Sequence, residues 1–266
     1  MNPNCKKRMG AIRLENMKVI AQEEIAPAIF KLVLEGEMVE AMKAGQFLHL
    51  RVPDDAHLLR RPISISTIDK PKKQCHLIYR IEGSGTAIFS SLKSGDSLDV
   101  MGPQGNGFDL SGLNKDSKIL LVGGGIGVPP LLEVAKQLHE RGVEITTVLG
   151  FATKDAVILE DELAQYSQVF VTTDDGSYGT QGNVSVVINE CDTEFDAIYS
   201  CGAPGMMKYI NQTFYDHPRA YLSLESRMAC GMGACYACVL KVPDSETISQ
   251  RVCEDGPVFK TGTVVL

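Results

Sequence analysis

The chain of 266 residues carries a net charge of −7, an isoelectric point near 5.3, eight cysteines, 25 glycines and no tryptophan. That is length enough for two compact domains and a small appendage, and the acidic balance argues against nucleic acid, which needs a basic face. No apolar run approaches a membrane span, and the basic start M-N-P-N-C-K-K-R-M-G leads into no apolar signal core; the expectation is a cytoplasmic chain, without membrane, whose cysteines are metal ligands or buried thiols.

Residues 1–10 read as an N-terminal extension. From 11 to 110 the chain alternates short apolar, β-branched runs (A-I-F-K-L-V-L-E, Q-F-L-H-L-R-V, C-H-L-I-Y-R-I-E) with Gly, Pro and Asp breaks. This predicts a small antiparallel barrel, interrupted by one helix starting at Thr86. After M-G-P-Q-G-N-G-F the period changes. Continuous apolar strands (K-I-L-L-V, E-I-T-T-V-L-G-F, Q-V-F-V-T-T, F-D-A-I-Y-S-C-G) alternate with the amphipathic stretches L-L-E-V-A-K-Q-L-H-E-R and P-G-M-M-K-Y-I-N-Q-T-F. That alternation predicts an α/β domain with a parallel sheet over 111–224. Residues 225–266 form a small cysteine subdomain, entered through A-Y-L-S-L-E and closed by V-F-K-T-G-T-V-V-L as a strand. The fold class is therefore multi-domain β plus α/β.

Four thiols stand together in the last part: Cys230, Cys235 and Cys238 at C-x4-C-x2-C, then fourteen residues, then Cys253. The first three match the opening of a plant-type [2Fe-2S] loop, with Gly231, Gly233, Ala234 and Ala237 leaving room for backbone N–H groups to approach the sulfurs. The fourth comes sooner than in plant ferredoxins, so the surrounding domain should be smaller. A zinc site, which more often shows two C-x2-C pairs, and disulfides are the competing readings.

Three further clusters carry chemistry. Gly123, Gly124, Gly125, Ile126 and Gly127 follow a buried strand and open a helix, a place suited to a nucleotide phosphate; a plain strand-to-helix turn is the alternative. Arg61 and Ser64 in R-R-P-I-S-I-S offer a guanidinium fork for a pyrophosphate and a hydroxyl for a heteroaromatic edge, against a surface cation beside a strand. Gly85 and Thr86 sit where Thr86 is able to cap a helix.

Taken in order, R-R-P-I-S-I-S, I-Y-R, G-x-G-T, M-G-P-x-G-N-G-F, G-G-G-I-G-V-P-P, T-D-D-G-S-Y-G, C-G-A-P and E-S-R-M-A-C-G-x-G-A-C-Y-A-C resemble the ferredoxin-reductase-type flavoproteins. Among these the chain is most similar to the electron-transfer subunits of bacterial NAD-linked dihydroorotate dehydrogenases. The resemblance implies FAD on the barrel, NAD(H) on the α/β domain and one [2Fe-2S] cluster. Carried over, Arg61, Pro62, Ile63 and Ser64 line the flavin, with Ile78, Tyr79 and Arg80 beside them, and Gly85 and Thr86 hold its pyrophosphate. The superfamily commonly has Tyr at Ile63, so the contact there is aliphatic. Cys230, Cys235, Cys238 and Cys253 bind the cluster. Gly123 to Gly127 face the nicotinamide–pyrophosphate half of NAD(H). The Cys201 thiol either approaches the nicotinamide or packs. Asp174 and Asp175 either favour NAD over NADP or form a solvated turn.

The resemblance also implies a relay from cluster to FAD to NAD+ in pyrimidine biosynthesis, and a partner: an FMN-containing dihydroorotate dehydrogenase catalytic subunit, two of each in a heterotetramer. No catalytic residue for dihydroorotate is expected in this chain, whose five histidines are scattered. An NADH:acceptor module of another flavin and iron–sulfur complex is the nearest alternative. A zinc-stabilised, non-enzymatic nucleotide-binding protein is the alternative of a different class. The purified protein should show flavin bands, a reddish-brown shoulder and about two irons per chain; a colourless, zinc-loaded protein by visible spectroscopy and metal analysis would select the last reading.

Overall fold

The computed structural model describes residues 12–191 and 194–266. The expected extension over 1–10 lies outside the described residues. Six strands, β1 (Arg13–Ala26), β2 (Ile29–Glu35), β3 (Phe47–Leu50), β4 (Arg61–Asp69), β5 (Gln74–Arg80) and β6 (Ser97–Gln104), close into a barrel in the order β1-β2-β5-β4-β3-β6. Every neighbouring pair is antiparallel. Leu32, Leu34, Leu48, Leu50, Ile65, Leu77 and Val100 fill its interior, the inward set that a period of two prescribes. Helix α1 (Ser84–Phe89) begins two residues before the expected Thr86. Thr86 closes the helix start from its third position rather than as its cap: its Oγ1 accepts the N–H groups of Glu82 (3.0 Å) and Gly83 (3.2 Å). This is the reach-back half of a capping box.

The second unit is built on β7 (Lys118–Gly124), α2 (Pro129–His139), β8 (Glu144–Phe151), α3 (Glu160–Ala164), β9 (Gln168–Thr173), β10 (Thr180–Gln181), α4 (Ser185–Ile188), β11 (Ala197–Cys201), α5 (Pro204–Thr213) and β12 (Ala220–Ser223). A two-stranded hairpin follows, β13 (Val239–Lys241) with β14 (Ser249–Arg251), then β15 (Val258–Lys260). The large sheet runs β10-β9-β8-β7-β11-β12-β15 and is parallel except for β15. The closing V-F-K-T-G-T-V-V-L is thus strand only over its first three residues, and it completes the nucleotide sheet instead of forming a layer of its own.

Two features position the site. The strand order reverses between β7 and β11, and open parallel sheets take their ligands outside the strand ends at such a point. The glycines after β7 and Cys201 at the end of β11 sit there side by side, with Gly123 paired to Cys201. Second, α2 ties the sheet to the barrel. Glu133 is buried, and its Oε2 accepts the buried N–H of Ile68 on β4 (2.9 Å) while Oε1 accepts Gln137 Nε2–H (2.7 Å). Burial pushes this carboxyl above its ordinary range, against the hydrogen bonds and Lys136, which pull it down. Glu133→Ala should strand the Ile68 N–H and cost about 1–3 kcal/mol in urea unfolding; a loss below about 0.3 kcal/mol would show that this bond does not hold the seam.

Candidate functional site

A cavity of about 410 Å³ opens on the barrel between β4, β5 and the start of α1. Arg61, Pro62, Ile63, Ser64, Ile78, Tyr79, Arg80, Gly85 and Thr86 all border it. The two arginines of R-R-P-I-S-I-S divide the work. Arg60 is clamped in the protein, with Nη2 on both carboxylate oxygens of Asp99 (2.9 and 2.8 Å) and Nη1 donating to the carbonyls of Asp99 and His49 (3.0 and 3.3 Å). The Arg61 guanidinium instead lies over Gly85, where a side-chain carbon would come within 2.9 Å of its Nε. Glycine is needed there so that the fork can sit over the helix start. Tyr79 borders the cavity, but its ring is buried in the barrel, stacked on Phe30 at 5.9 Å and edge-on to Phe89, with its hydroxyl donating to Gln22 Oε1 (3.0 Å). Burial pushes the phenol above its ordinary range. Arg80 pairs with Glu82.

A second cavity of about 1090 Å³ adjoins the first at the switch point of the sheet. Gly124, Gly125, Ile126, Gly127, Asp174 and Cys201 line it, facing Pro62, Ser64 and Arg80 of the barrel. Two expected residues are absent from that lining. Gly123 is turned toward Val128, Leu149 and Leu131, so its missing side chain serves packing. Asp175 Oδ1 accepts the N–H (3.0 Å) and Oγ–H (2.6 Å) of Ser177, the solvated-turn reading. Cys201 is half-buried, and desolvation pushes its thiol up to about 12. Glu225, not singled out from the sequence, borders both cavities; burial and then Glu82 raise its carboxyl, while Arg80 lowers it. Its signal was in E-S-R-M-A-C, read there only as part of a motif.

The cysteine loop is graded in depth. Cys238 and Cys253 are buried, Cys230 is half-buried and Cys235 is exposed. Backbone N–H groups of Met232 and Cys235 reach Cys230 Sγ (3.4 Å each), and that of Gly233 reaches Cys253 Sγ (3.2 Å). These are the N–H···S bonds that an iron–sulfur centre's ligands accept. Burial works to raise Cys230, but the N–H groups of Met232, Cys235 and Ala234 outweigh it and bring the thiol down to about 7. Burial and the neighbouring Cys238 push Cys253 up to about 12. The 3.3 Å between Cys238 Sγ and Cys253 Sγ is too long for a disulfide. No three His, Cys, Asp or Glu side chains among the described residues gather round one ion position, as a mononuclear zinc cage requires. Arg251 shapes the loop: Nη1 donates to Gly233 O (2.8 Å), Nε to Asp255 (3.1 Å), and the guanidinium lies 5.1 Å from the Tyr236 ring centroid.

A barrel with a cavity on its wall, a parallel sheet with glycines at its switch point and a cysteine loop beside them define an iron–sulfur flavoprotein oxidoreductase of the ferredoxin-reductase fold. Family models agree along the chain: "Oxidoreductase FAD-binding domain" over 14–108, "Oxidoreductase NAD-binding domain" over 121–212, and "Iron-sulfur cluster binding domain of dihydroorotate dehydrogenase B" over 225–265. A solved NADH-dependent reduced ferredoxin-NADP oxidoreductase structure superposes with a TM-score of 0.83 at 30% identity, covering 94% of this chain and 90% of that one. The dihydroorotate dehydrogenase B (NAD(+)) electron transfer subunit of Streptococcus pneumoniae strain ATCC BAA-255 / R6 is 85% identical over 96% of this chain and all of its own length. That of Geobacillus sp. strain WCH70 is 51% identical over 96% of this chain and all of its own. The chain belongs to the family of electron transfer subunits of dihydroorotate dehydrogenase B, and its cofactors are FAD, NAD and an iron–sulfur cluster. Iron–sulfur thus displaces zinc and disulfides as the reading of the four cysteines. No helix of the described residues is long and apolar enough to cross a membrane.

Gly231 stands inside the cluster loop at φ +67°, in the left-handed region, and a side-chain carbon there would lie 2.5 Å from His49 Nδ1 and 2.7 Å from Gln104 Oε1. Gly231→Ala should cost about 1–2 kcal/mol from backbone strain alone and lower iron per chain while FAD content holds. Full iron occupancy in the variant, by metal analysis against flavin absorbance, would show that the loop does not depend on this close approach.

Proposed function

We propose that this chain takes electrons from an FMN-containing dihydroorotate dehydrogenase catalytic subunit and delivers them to NAD+ in pyrimidine biosynthesis, in the cytoplasm, within a heterotetramer of two chains of each kind. The observation that carries this reading is the depth gradient of the thiols. Cys235 is exposed, in a stretch of chain that also exposes Met232, Tyr236, Val239 and Ile248, whereas Cys238 and Cys253 share a buried cluster with Phe47. Phe47 pairs with Ser64 on the flavin-lining strand β4. One end of the assembly thus faces outward, toward another chain, and the other faces the flavin cavity.

When bound, the [2Fe-2S] cluster, FAD and NAD(H) supply the conversion between one-electron and hydride chemistry. The residues of the chain hold and orient. Arg61 meets the flavin pyrophosphate with a bidentate fork, in the room left by Gly85 and beside Thr86. Pro62, Ile63, Ser64, Ile78, Tyr79 and Arg80 form the wall along the ring system, with Ile63 as an aliphatic contact. Gly124 to Gly127 present a nearly bare backbone edge to the nicotinamide nucleotide. Asp174, in the lining of that cavity, repels a 2′-phosphate and accepts from a ribose hydroxyl, favouring NAD over NADP. Cys201 offers a neutral thiol at the same edge. Gly123 and Asp175 drop out of the nucleotide set. Glu225, between the two cavities, holds a proton more readily than an ordinary carboxylate. Among the described residues we assign none as a base for dihydroorotate.

Mixed with a purified holo catalytic subunit, the chain should support dihydroorotate-dependent reduction of NAD+, and the pair should sediment as two plus two. Ile248→Asp, which puts a charge on an exposed apolar residue of this stretch, should weaken subunit association about tenfold and leave NADH-dependent reduction of ferricyanide by the isolated chain unchanged. Asp174→Ser should narrow the preference for NAD+ over NADP+ by about tenfold. A verified holo pair without NAD+ reduction overturns the reading; normal association of the Ile248 variant would move the docking face elsewhere.

A further inference from the structure

Two polar side chains sit buried under the cysteine loop with unmet hydrogen-bonding capacity. His49 and Gln104 are both 0% exposed. Neither ring nitrogen of His49 and no Oε1 contact of Gln104 finds a partner among the described residues. Buried polar atoms in that condition are costly, and native structures seldom leave them so without a purpose. Both are aimed at one spot. The position of a side-chain carbon on Gly231 lies within 2.5 Å of His49 Nδ1 and 2.7 Å of Gln104 Oε1, and Gly231 directly follows the ligand Cys230.

The same histidine is fixed to the flavin wall. His49 lies on β3, paired with Pro62 of β4 on one side and with Met101 of β6 on the other. Its carbonyl accepts from Arg60, which Asp99 clamps in turn. The imidazole therefore stands between the strand that lines the flavin cavity and the loop that carries the cluster cysteines. Either tautomer of the ring has one N–H to donate, and no protein atom among the described residues takes it.

We propose that His49 is a positioning residue for the iron–sulfur centre, giving its buried N–H to the sulfurs held over the Cys230–Gly231 turn and so raising the reduction potential of that centre while fixing it against β4. Sulfur is the acceptor this loop is built to hold, and hydrogen bonds to the sulfurs favour the more negative, reduced state. The proposal rests on the iron–sulfur assignment of the four cysteines.

The test uses the wild-type holo chain labelled with nitrogen-15 only in histidine, reduced with dithionite and read by hyperfine EPR spectroscopy. A nitrogen-15 coupling to the paramagnetic centre is expected. His49→Leu should abolish it and lower the potential of the centre by roughly three- to tenfold in the reduction equilibrium, a tenfold change being about 59 mV for one electron. His49→Gln, which keeps an N–H, should recover part of the shift, and the flavin bands should be unchanged in both. A full EPR signal with no histidine coupling in the wild type overturns the proposal, and it does so even if the variants fail to fold. An unchanged potential in folded His49→Leu overturns it as well. Absence of any iron signal would instead strike the iron–sulfur assignment, a separate outcome.

Discussion

Carriers that pass electrons in series depend on fixed separations, so the buried seam joining barrel, parallel sheet and cysteine loop governs the rest of this structure. The stretch M-G-P-Q-G-N-G-F is the seat of that seam. Asn106 donates its backbone N–H to Gly256 O (2.7 Å) and its side-chain amide to Glu254 O (2.9 Å) and Asp255 O (3.3 Å), just past the last cluster cysteine. Leu224 N–H, at the entry to the cysteine loop, donates to Pro257 O (2.9 Å). On the other side Glu133 bonds α2 to β4. Such bonds are made largely out of water, where they are stronger and where losing one partner is costly. Barrel, sheet and cysteine loop are thereby hydrogen-bonded to one another.

The thiols differ in depth within that frame. They run from exposed to buried across the loop of Cys230, Cys235 and Cys238 and the turn of Cys253 beyond the hairpin β13–β14, and Cys238 and Cys253 share an apolar cluster with Phe47. The two cavities meet at Pro62, Ser64, Arg80, Glu82, Ile126 and Glu225. Residues from the barrel, the glycine turn and the entry to the cysteine loop thus meet at one junction. Charge there is mixed, with Arg80 paired to Glu82 and Glu225 half out of water, so the junction carries no large net field of its own.

Much of this was legible residue by residue. The sheet strands Glu144–Phe151 and Gln168–Thr173 match their predicted runs end to end, because Val, Ile, Thr and Phe suit extended, pleated backbone. The nine residues expected at the flavin share one cavity because the start of β4, the end of β5 and the start of α1 meet there. What stayed illegible were choices between neighbours. Arg60 and Arg61 are identical in sequence terms, and only Asp99, on a strand two away in the barrel, selects Arg60 for the clamp. Asp174 and Asp175 differ because Ser177 captures the second. Gly123 differs from Gly124 because Val128, Leu149 and Leu131 close over it.

The sequence by itself determined the kinds of element, their order and the spacing of the four thiols in the iron–sulfur domain, since periodicity and thiol spacing are local properties that any short segment expresses. Only the tertiary structure decided that β15 belongs to the nucleotide sheet, that Glu225 joins two cavities and that His49 lies under Gly231. Those relations link residues 35 to 182 positions apart, and only the packed chain brings them together.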